Sequence, residues 1–473
     1  MTLGKALSVF LVLNITVTLA ACGQDTAMKQ ADMIVYGDWL LSMDEDSQNA
    51  GLYESGAVAV VDSKIVAVGS AADVDANWQS ATKISGEGKV LMPGLVNAHT
   101  HTSMTLFRGM ADDLPLMEWL EGYIFPMEDQ FVDADFVRVG TQLACYEMIK
   151  TGTTSFVDMY FYPDQIADVV DRCGLRSVVT APMIDFPSPG FAGWDDSFSA
   201  GVEFVKRWQE NDHPRITPGL APHAPYTVSR EHLVAVGAAA QELGAPISIH
   251  LAEDKSEIAI VEDQYGMTPV RHVAATGLFD GHVIAAHVVW PDAEEMQILA
   301  DKGVGVIHNP TSNLKTAAGV APVPQMLAAG VTVGLATDGA ASNNDLDMWG
   351  EIRFAALLNK GVQRDATLVP AMTALKLATS YGAKAAGLSA KTGVLKVGKQ
   401  ADMIQVAFDR PSAQPMYNII SHLAYVLDSR DVRTTIVDGK LLMQDGNVLT
   451  IDQEKLSAEV AEKAAQIKAA LAK

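Results

Sequence analysis

The sequence predicts an α/β chain: a (β/α)8 TIM barrel carrying a small composite β-sandwich domain formed by both ends of the chain. Three observations predict it. Short β-branched runs divided by Gly, Asp and Ser stand near both ends, as in "GAVAVVDSKIVAVGS" and "VRTTIVDGKLLMQDGNVL". Between them, eight short apolar runs recur, most followed by a helix-compatible stretch. Six of the 11 histidines fall at the C-terminal ends of those runs, where a barrel of this kind carries its reactive groups.

Taken in order, Lys5 precedes "ALSVFLVLNITVTLAA", too short for a comfortable membrane span and ending in small residues. Residues 1–21 therefore read as a lipoprotein-type signal peptide. "LAAC" at 19–22 resembles the bacterial lipobox, in which cleavage lets the Cys22 thiol carry the lipid anchor; an uncleaved signal anchor is the alternative. The expected location is outside the cytoplasm, facing the periplasm, with the membrane met only through the anchor. Residues 22–31 form a tether. Residues 32–91 and 392–450 are the two halves of the β-sandwich, 92–391 the barrel, and 451–473, "KLSAEVAEKAAQIKAALAK" among them, an exposed amphipathic helix.

With 34 basic against 57 acidic residues, the formal charge of −23 repels phosphate backbones and argues against nucleic acid as a partner. A homo-oligomer is compatible with everything in the sequence. Cys145 and Cys173 lack CxxC spacing and read as buried free thiols, with a disulfide between them as the alternative.

The eight runs end on His99 and His101, Asp158, no ionisable group, His223, His250 with Glu253, His287, His308 and Asp338. On a strand, His99 and His101 project from one face, so one metal could take both. A lone HxH arises by chance, and its weight comes from its company. His250 and Asp338 supply the remaining donor types of a catalytic zinc site, although an Asp in "TDGAASNND" could instead cap a helix. Zinc brings the pKa of a bound water to about 7, and Asp338 is expected both to ligate and to accept the proton released. Iron or manganese could replace zinc in the cell. Glu253, three residues beyond His250, would sit on the wrong face of a continuous strand, so the chain must turn just after His250. Glu253 can then act as the acid that protonates a substrate ring, or merely begin the next helix. His287 could ligate the metal, steady a developing oxyanion by hydrogen bonding, or be a satisfied structural histidine.

"MPGLVNAHTHTSMTLFRGMADDLPLMEWL", "GLAPHAPYTVS", "SIHLAED", "AAHVVW", "HNPTSNLKTAAGVAPVP" and "GLATDGAASNNDLDMW" resemble, in order, the signatures of the amidohydrolase superfamily and its 5-methylthioadenosine/S-adenosylhomocysteine deaminase branch. The resemblance implies His99, His101, His250 and Asp338 as ligands of one zinc ion, Glu253 as proton shuttle and His287 as a hydrogen-bonding histidine beside the metal. It also implies Glu118 on the sugar hydroxyls and His223 as a further substrate contact, whereas a helix-surface carboxylate is the plainer reading of Glu118. His308 and Asn309 match a loop motif, and the loop around Trp194 is expected along the substrate's distal end. The implied reaction replaces the exocyclic amine of an adenosine-like purine nucleoside by oxygen and releases ammonia. The family is typically cytoplasmic, so an exported member puts the substrate more in doubt than the chemistry. A sibling hydrolase of guanine, a pterin, cytosine or a chlorotriazine is the near alternative, and a non-catalytic solute-binding lipoprotein the distant one.

Overall fold

Eight parallel strands follow one another round a barrel in chain order: β1 (Leu95–Thr100), β2 (Thr153–Met159), β3 (Arg176–Met183), β4 (Ile216–Pro222), β5 (Ile247–Leu251), β6 (Val283–His287), β7 (Gly305–His308) and β8 (Thr332–Leu335). The structure is a computed structural model that describes residues 28–47 and 51–471. The expected signal peptide (1–21), Cys22 and most of the expected tether (22–31) lie outside the described residues.

Nearly every strand residue is buried on both faces, as in a sheet wrapped by helices. Val96, Ala98, Val157, Val178, Ile284 and Ile307 gather in the barrel interior, with Ala383 and Leu388 of the chain beyond β8 packed against them. β1 and the segment just beyond β8 close the ring: Asn97 Nδ2 donates to Thr337 Oγ1 (2.7 Å), Thr337 N donates to Asn97 Oδ1 (3.0 Å), and the Asp338 backbone N donates to the His99 carbonyl (3.1 Å). The helices Ala134–Thr151 and Pro163–Cys173 end on Gly152 (φ 86°) and Gly174 (φ 95°), left-handed positions that release the chain into β2 and β3.

The two ends of the chain meet in a composite β domain, hydrogen-bonded as one nine-stranded sheet. Its junction is the antiparallel pairing of Lys89–Pro93 with Met403–Ala407. Val35, Leu40, Val58, Leu91, Met403 and Ile436 form its core. Arg176 of β3 fastens this sheet to the barrel. Its fully buried guanidinium donates twice to Asp402 (2.7 and 3.1 Å), once to Asp438 (3.2 Å) and once to the Pro214 carbonyl (2.9 Å).

Cys145 and Cys173 are free and buried, on the two helices that flank β2, with sulfurs 2.7 Å apart. The C-terminal helix Gln453–Leu471 buries Leu456 and Ile467 and pairs Glu459 with Arg138 (3.1 Å) and Lys463 with Asp135 (2.7 Å). One feature breaks the simple strand-then-helix rhythm. Between β1 and the helix Ala134–Thr151 the chain makes a 3-10 turn (Thr102–Phe107), a short helix (Leu116–Trp119), a π turn (Leu120–Ile124) and a further helix (Phe125–Phe131). Leu116, Trp119, Leu120, Ile124 and Phe125 from this insertion form a wall at the barrel mouth.

Candidate active site

The C-terminal ends of β1, β5, β6 and the segment after β8 converge beneath that wall. His101 donates from Nδ1 to the Met159 carbonyl (2.6 Å), and His250 from Nδ1 to the His223 carbonyl (2.9 Å). Each ring then presents a bare Nε2, and the two Nε2 atoms face one another at 3.2 Å. Asp338 Oδ1 lies 3.3 Å from His101 Nε2 and 3.4 Å from His99 Nε2. Both ring nitrogens of His99 are buried without a hydrogen-bond partner. Lone pairs on two imidazoles and a carboxylate repel when aimed at one point, and a divalent cation turns that repulsion into ligation. The donor atoms of His99, His101 and His250 lie within 4.8 Å of one another, and so do those of His99, His287 and Asp338. The residues present fit a zinc ion.

The backbone is bent to make this arrangement. Asp338 (φ 67°), His287 (φ 74°) and Ala252 (φ 50°) hold left-handed conformations that non-glycine residues adopt at a cost, a kind of strain that concentrates at functional sites. The bend at Ala252 is the turn that Glu253 requires. Glu257, on the next helix, accepts from Ala252 N (2.9 Å) and Glu253 N (2.7 Å) and fixes that turn. Asp338 is held by Gly339 N on Oδ1 (2.6 Å) and by the hydroxyls of Ser312 (2.7 Å) and Ser342 (3.0 Å) on Oδ2.

Burial holds the proton on Glu253 and, with the nearby Asp338 charge, raises its pKa well above the usual carboxylate range. Burial acts the same way on Asp338, but His101 and His99 overcome it and hold that carboxyl well below its ordinary value. Burial pushes His99 down to about 4 and His223 to about 3. For His101 burial is outweighed by the Asp338 carboxylate, which raises it to about 9. His287 donates from Nδ1 to Asn313 Oδ1 (2.8 Å), and its Nε2 stands 3.5 Å from Glu253 Oε2.

His101, His223, His250, Glu253, His287 and Asp338 all line one cavity, open at the barrel mouth. His223 donates or accepts at Thr227 Oγ1 (2.8 Å) and lies edge-on to His250, ring centres 4.8 Å apart. Asp158 stays behind the site, accepting from Thr102 N (2.7 Å) and bracing the segment around His101. His308 is buried, with neither ring nitrogen partnered, and is not a lining residue. Glu118 is exposed and stands outside the lining. Trp194 stacks on His232 (3.8 Å between ring centres), also away from the cavity, and only Ile184, ahead of its loop, reaches the wall.

Sequence reasoning missed Glu128 and Tyr160, buried in the cavity wall, and the positioning residue Glu257. Burial raises Glu128 to about 7. Nothing in "FPMEDQF" distinguishes it from a surface carboxylate. Ser312, Asn313 and Ser342 carried a readable signal, since each sits in a Ser/Asn-rich stretch directly beyond a strand.

The model of the "Amidohydrolase family" matches residues 90–442. Among curated proteins, the chain is 42% identical over 431 residues to the "5-methylthioadenosine/S-adenosylhomocysteine deaminase" of Syntrophobacter fumaroxidans, covering 91% of this chain and 97% of that one. It is 44% identical over 436 residues to the "5'-deoxyadenosine deaminase" of Methanosarcina mazei, covering 92% and 98%. Among solved structures, an adenosine deaminase from Xanthomonas campestris with bound zinc superposes with a TM-score of 0.90 at 37% identity, covering 93% of this chain and all of that one. On the family match and on relatives aligned over nearly their full lengths, this chain belongs to the amidohydrolase family.

Proposed function

We infer that this chain is a zinc-dependent hydrolytic deaminase that releases ammonia from an adenosine-like nucleoside. The observation that carries the reading is the meeting of two bare Nε2 atoms, 3.2 Å apart, with the Asp338 carboxylate beside a protonated Glu253 at the floor of one cavity. The relatives named as deaminases of 5-methylthioadenosine, S-adenosylhomocysteine and 5'-deoxyadenosine support the substrate class. Zinc, when held by His99, His101, His250 and Asp338, supplies a Lewis acid that makes water ionisable near neutral pH.

The chain's own groups do the rest. Asp338, kept ionised, accepts a proton at Oδ1, the oxygen turned toward the histidines, while its Oδ2 is occupied by two serine hydroxyls. Glu253, kept protonated, delivers its proton to a ring nitrogen of the purine as the amine-bearing carbon becomes tetrahedral. His287, oriented by Asn313, faces Glu253 and the new oxygen. His223 borders the substrate on the wall. Glu118, exposed outside the lining, has no part in this reading.

Ammonia release from 5-methylthioadenosine, 5'-deoxyadenosine, adenosine, guanine and a pterin tests the assignment. Turnover of the adenosines is expected; turnover of another ring alone overturns it. Export and lipidation at Cys22 complete the proposal, on the strength of Lys5, the apolar run and "LAAC". Cys22→Ser should move the protein from the membrane fraction to the soluble one, and an unchanged distribution removes the anchor.

A further inference from the structure

The cavity is chemically two-ended. Its floor holds every titratable group of the reaction, so a nucleoside that presents its amine there must direct its sugar and 5' substituent at the mouth. The lining beyond those groups is mostly apolar: Leu116, Leu120, Ile124 and Phe125 from the inserted segment, with Phe161 and Ile184 from the chain after β2 and β3, beside the uncharged Tyr226 and Thr316. Among the described residues that line the cavity there is no lysine or arginine.

The cations nearby in sequence are committed elsewhere. Lys315, next to the lining residue Thr316, is held by Asp112 (2.6 Å) and by Asn344. Lys255, two residues beyond Glu253, lies over the Trp290 ring at 4.3 Å from its centre. Arg108 pairs with Glu147. A small hollow that shares Trp119, Thr316 and Ser342 with the cavity is bordered by Asp112, Asp113 and Lys315, and its one cation is already neutralised by Asp112. A carboxylate brought to this end would lose its water against hydrocarbon and find no cation in the lining to replace it, since Lys315 next door is held by Asp112. An alkyl or thioether group would gain from the same surface.

We propose that this cavity selects adenosines whose 5' substituent is uncharged and apolar, and discriminates against 5' chains that end in an amino-acid group. The proposal rests on the deaminase reading above. It divides the two kinds of substrate named together for the Syntrophobacter relative.

The test uses the zinc-loaded full chain and four adenosines: 5'-deoxy, 5'-methylthio, 5'-butylthio and S-adenosylhomocysteine. The butylthio compound matches the homocysteine chain in length without its charges. The three neutral compounds should agree in kcat/KM within about tenfold, and S-adenosylhomocysteine should fall about 10²-fold or more below them, chiefly through KM, because a buried polar mismatch rejects more strongly than a change of alkyl length. Ile184→Arg should narrow that gap by about tenfold by supplying the missing cation. S-adenosylhomocysteine within tenfold of the methylthio compound overturns the proposal. So does rejection of the butylthio compound alongside it, which would make length and not charge the filter. Silence on all four with turnover of a different ring removes the deaminase reading itself, a result distinguishable from either.

Discussion

Two imidazole nitrogens pointed at each other across 3.2 Å, each with its other nitrogen committed to a backbone carbonyl, are an unstable pair in a protein without a cation. Without the cation, a proton held on His101 by the Asp338 carboxylate has to take its place, and both ring nitrogens of His99 remain unpartnered. A ligand that binds only the folded state at 1,000 times its dissociation constant adds about 4 kcal/mol. Chelation should therefore lower Tm by about 4 °C, at about 1 °C per kcal/mol when an unfolding entropy of about 2 cal/mol/K per residue is summed over a chain this long. His250→Ala should abolish that difference. Glu253 stands apart from the metal donors, and its substitution separates chemistry from metal binding. Glu253→Gln should keep the chelator-sensitive Tm shift and one zinc per chain by metal analysis, while kcat falls about 10²–10⁴-fold, the usual contribution of a general acid. An unchanged kcat would refute the assigned proton transfer.

The strand ends explain why so much of the site is legible in the amino-acid order. Each barrel strand is one apolar run, so a histidine that closes a run is expected at the mouth, as His101, His223, His250 and His287 are, whereas His308 closes β7 on the other face and stays out of the lining. The position of Glu253 is legible too, because strand alternation forbids it unless the chain bends, and the bend is at Ala252. The inserted segment between Thr102 and Phe131 is not legible. Its 3-10, α and π turns share no period, and its apolar residues face a cavity instead of a packed layer. For the same reason Glu118 could be tied to the substrate only by resemblance, and the structure leaves it exposed. Glu257 was hidden because its role is to receive two backbone amides from a turn that exists only in the fold. Its loss should therefore act on geometry alone. Glu257→Gln, which turns an N–H toward one of those amides, should lower kcat about tenfold or more with zinc content unchanged, since small misplacements of a reacting group are costly. Loss of metal together with activity would show that the turn supports the ligands as well.

At the scale of the molecule, the pairing of Lys89–Pro93 with Met403–Ala407 joins the two chain ends into one sheet, and the buried Arg176 with Asp402 and Asp438 is among the contacts that fasten that sheet to the barrel. A buried pair broken on one side leaves an uncompensated charge, so Arg176→Ala should cost about 3–5 kcal/mol in urea unfolding, and Arg176→Met with Asp402→Leu should recover much of it. The pH dependence of stability is set elsewhere, by ionisable groups buried around the barrel mouth. Burial raises Glu128 to about 7, and Glu257 and Glu351 to about 8, against about 4.3 in an unfolded chain. Between those limits the folded protein keeps protons that the unfolded chain has released, so this contribution is complete below about pH 4.3 and is lost as pH rises to about 8. Buried histidines have the opposite sign. His99, His223 and His308, pushed down by burial to about 4, 3 and 3, contribute stability that is complete above about pH 6.5 and lost on acidification. The two sets offset each other between about pH 4.3 and 6.5, and above that range the carboxylates continue to change while the depressed histidines do not. His101, raised to about 9 in the metal-free protein because Asp338 outweighs its burial, acts in the same direction. Thermal scans of chelator-treated protein should therefore show Tm falling from pH 6.5 to 9. Glu351→Gln should make that fall shallower: its side chain accepts from Thr311 N (3.1 Å) and Asn343 Nδ2 (2.9 Å) and touches none of the metal donors directly. A Tm that climbs over this interval would mean that these carboxyls are ionised in the folded protein, with the amide donors around them outweighing their burial.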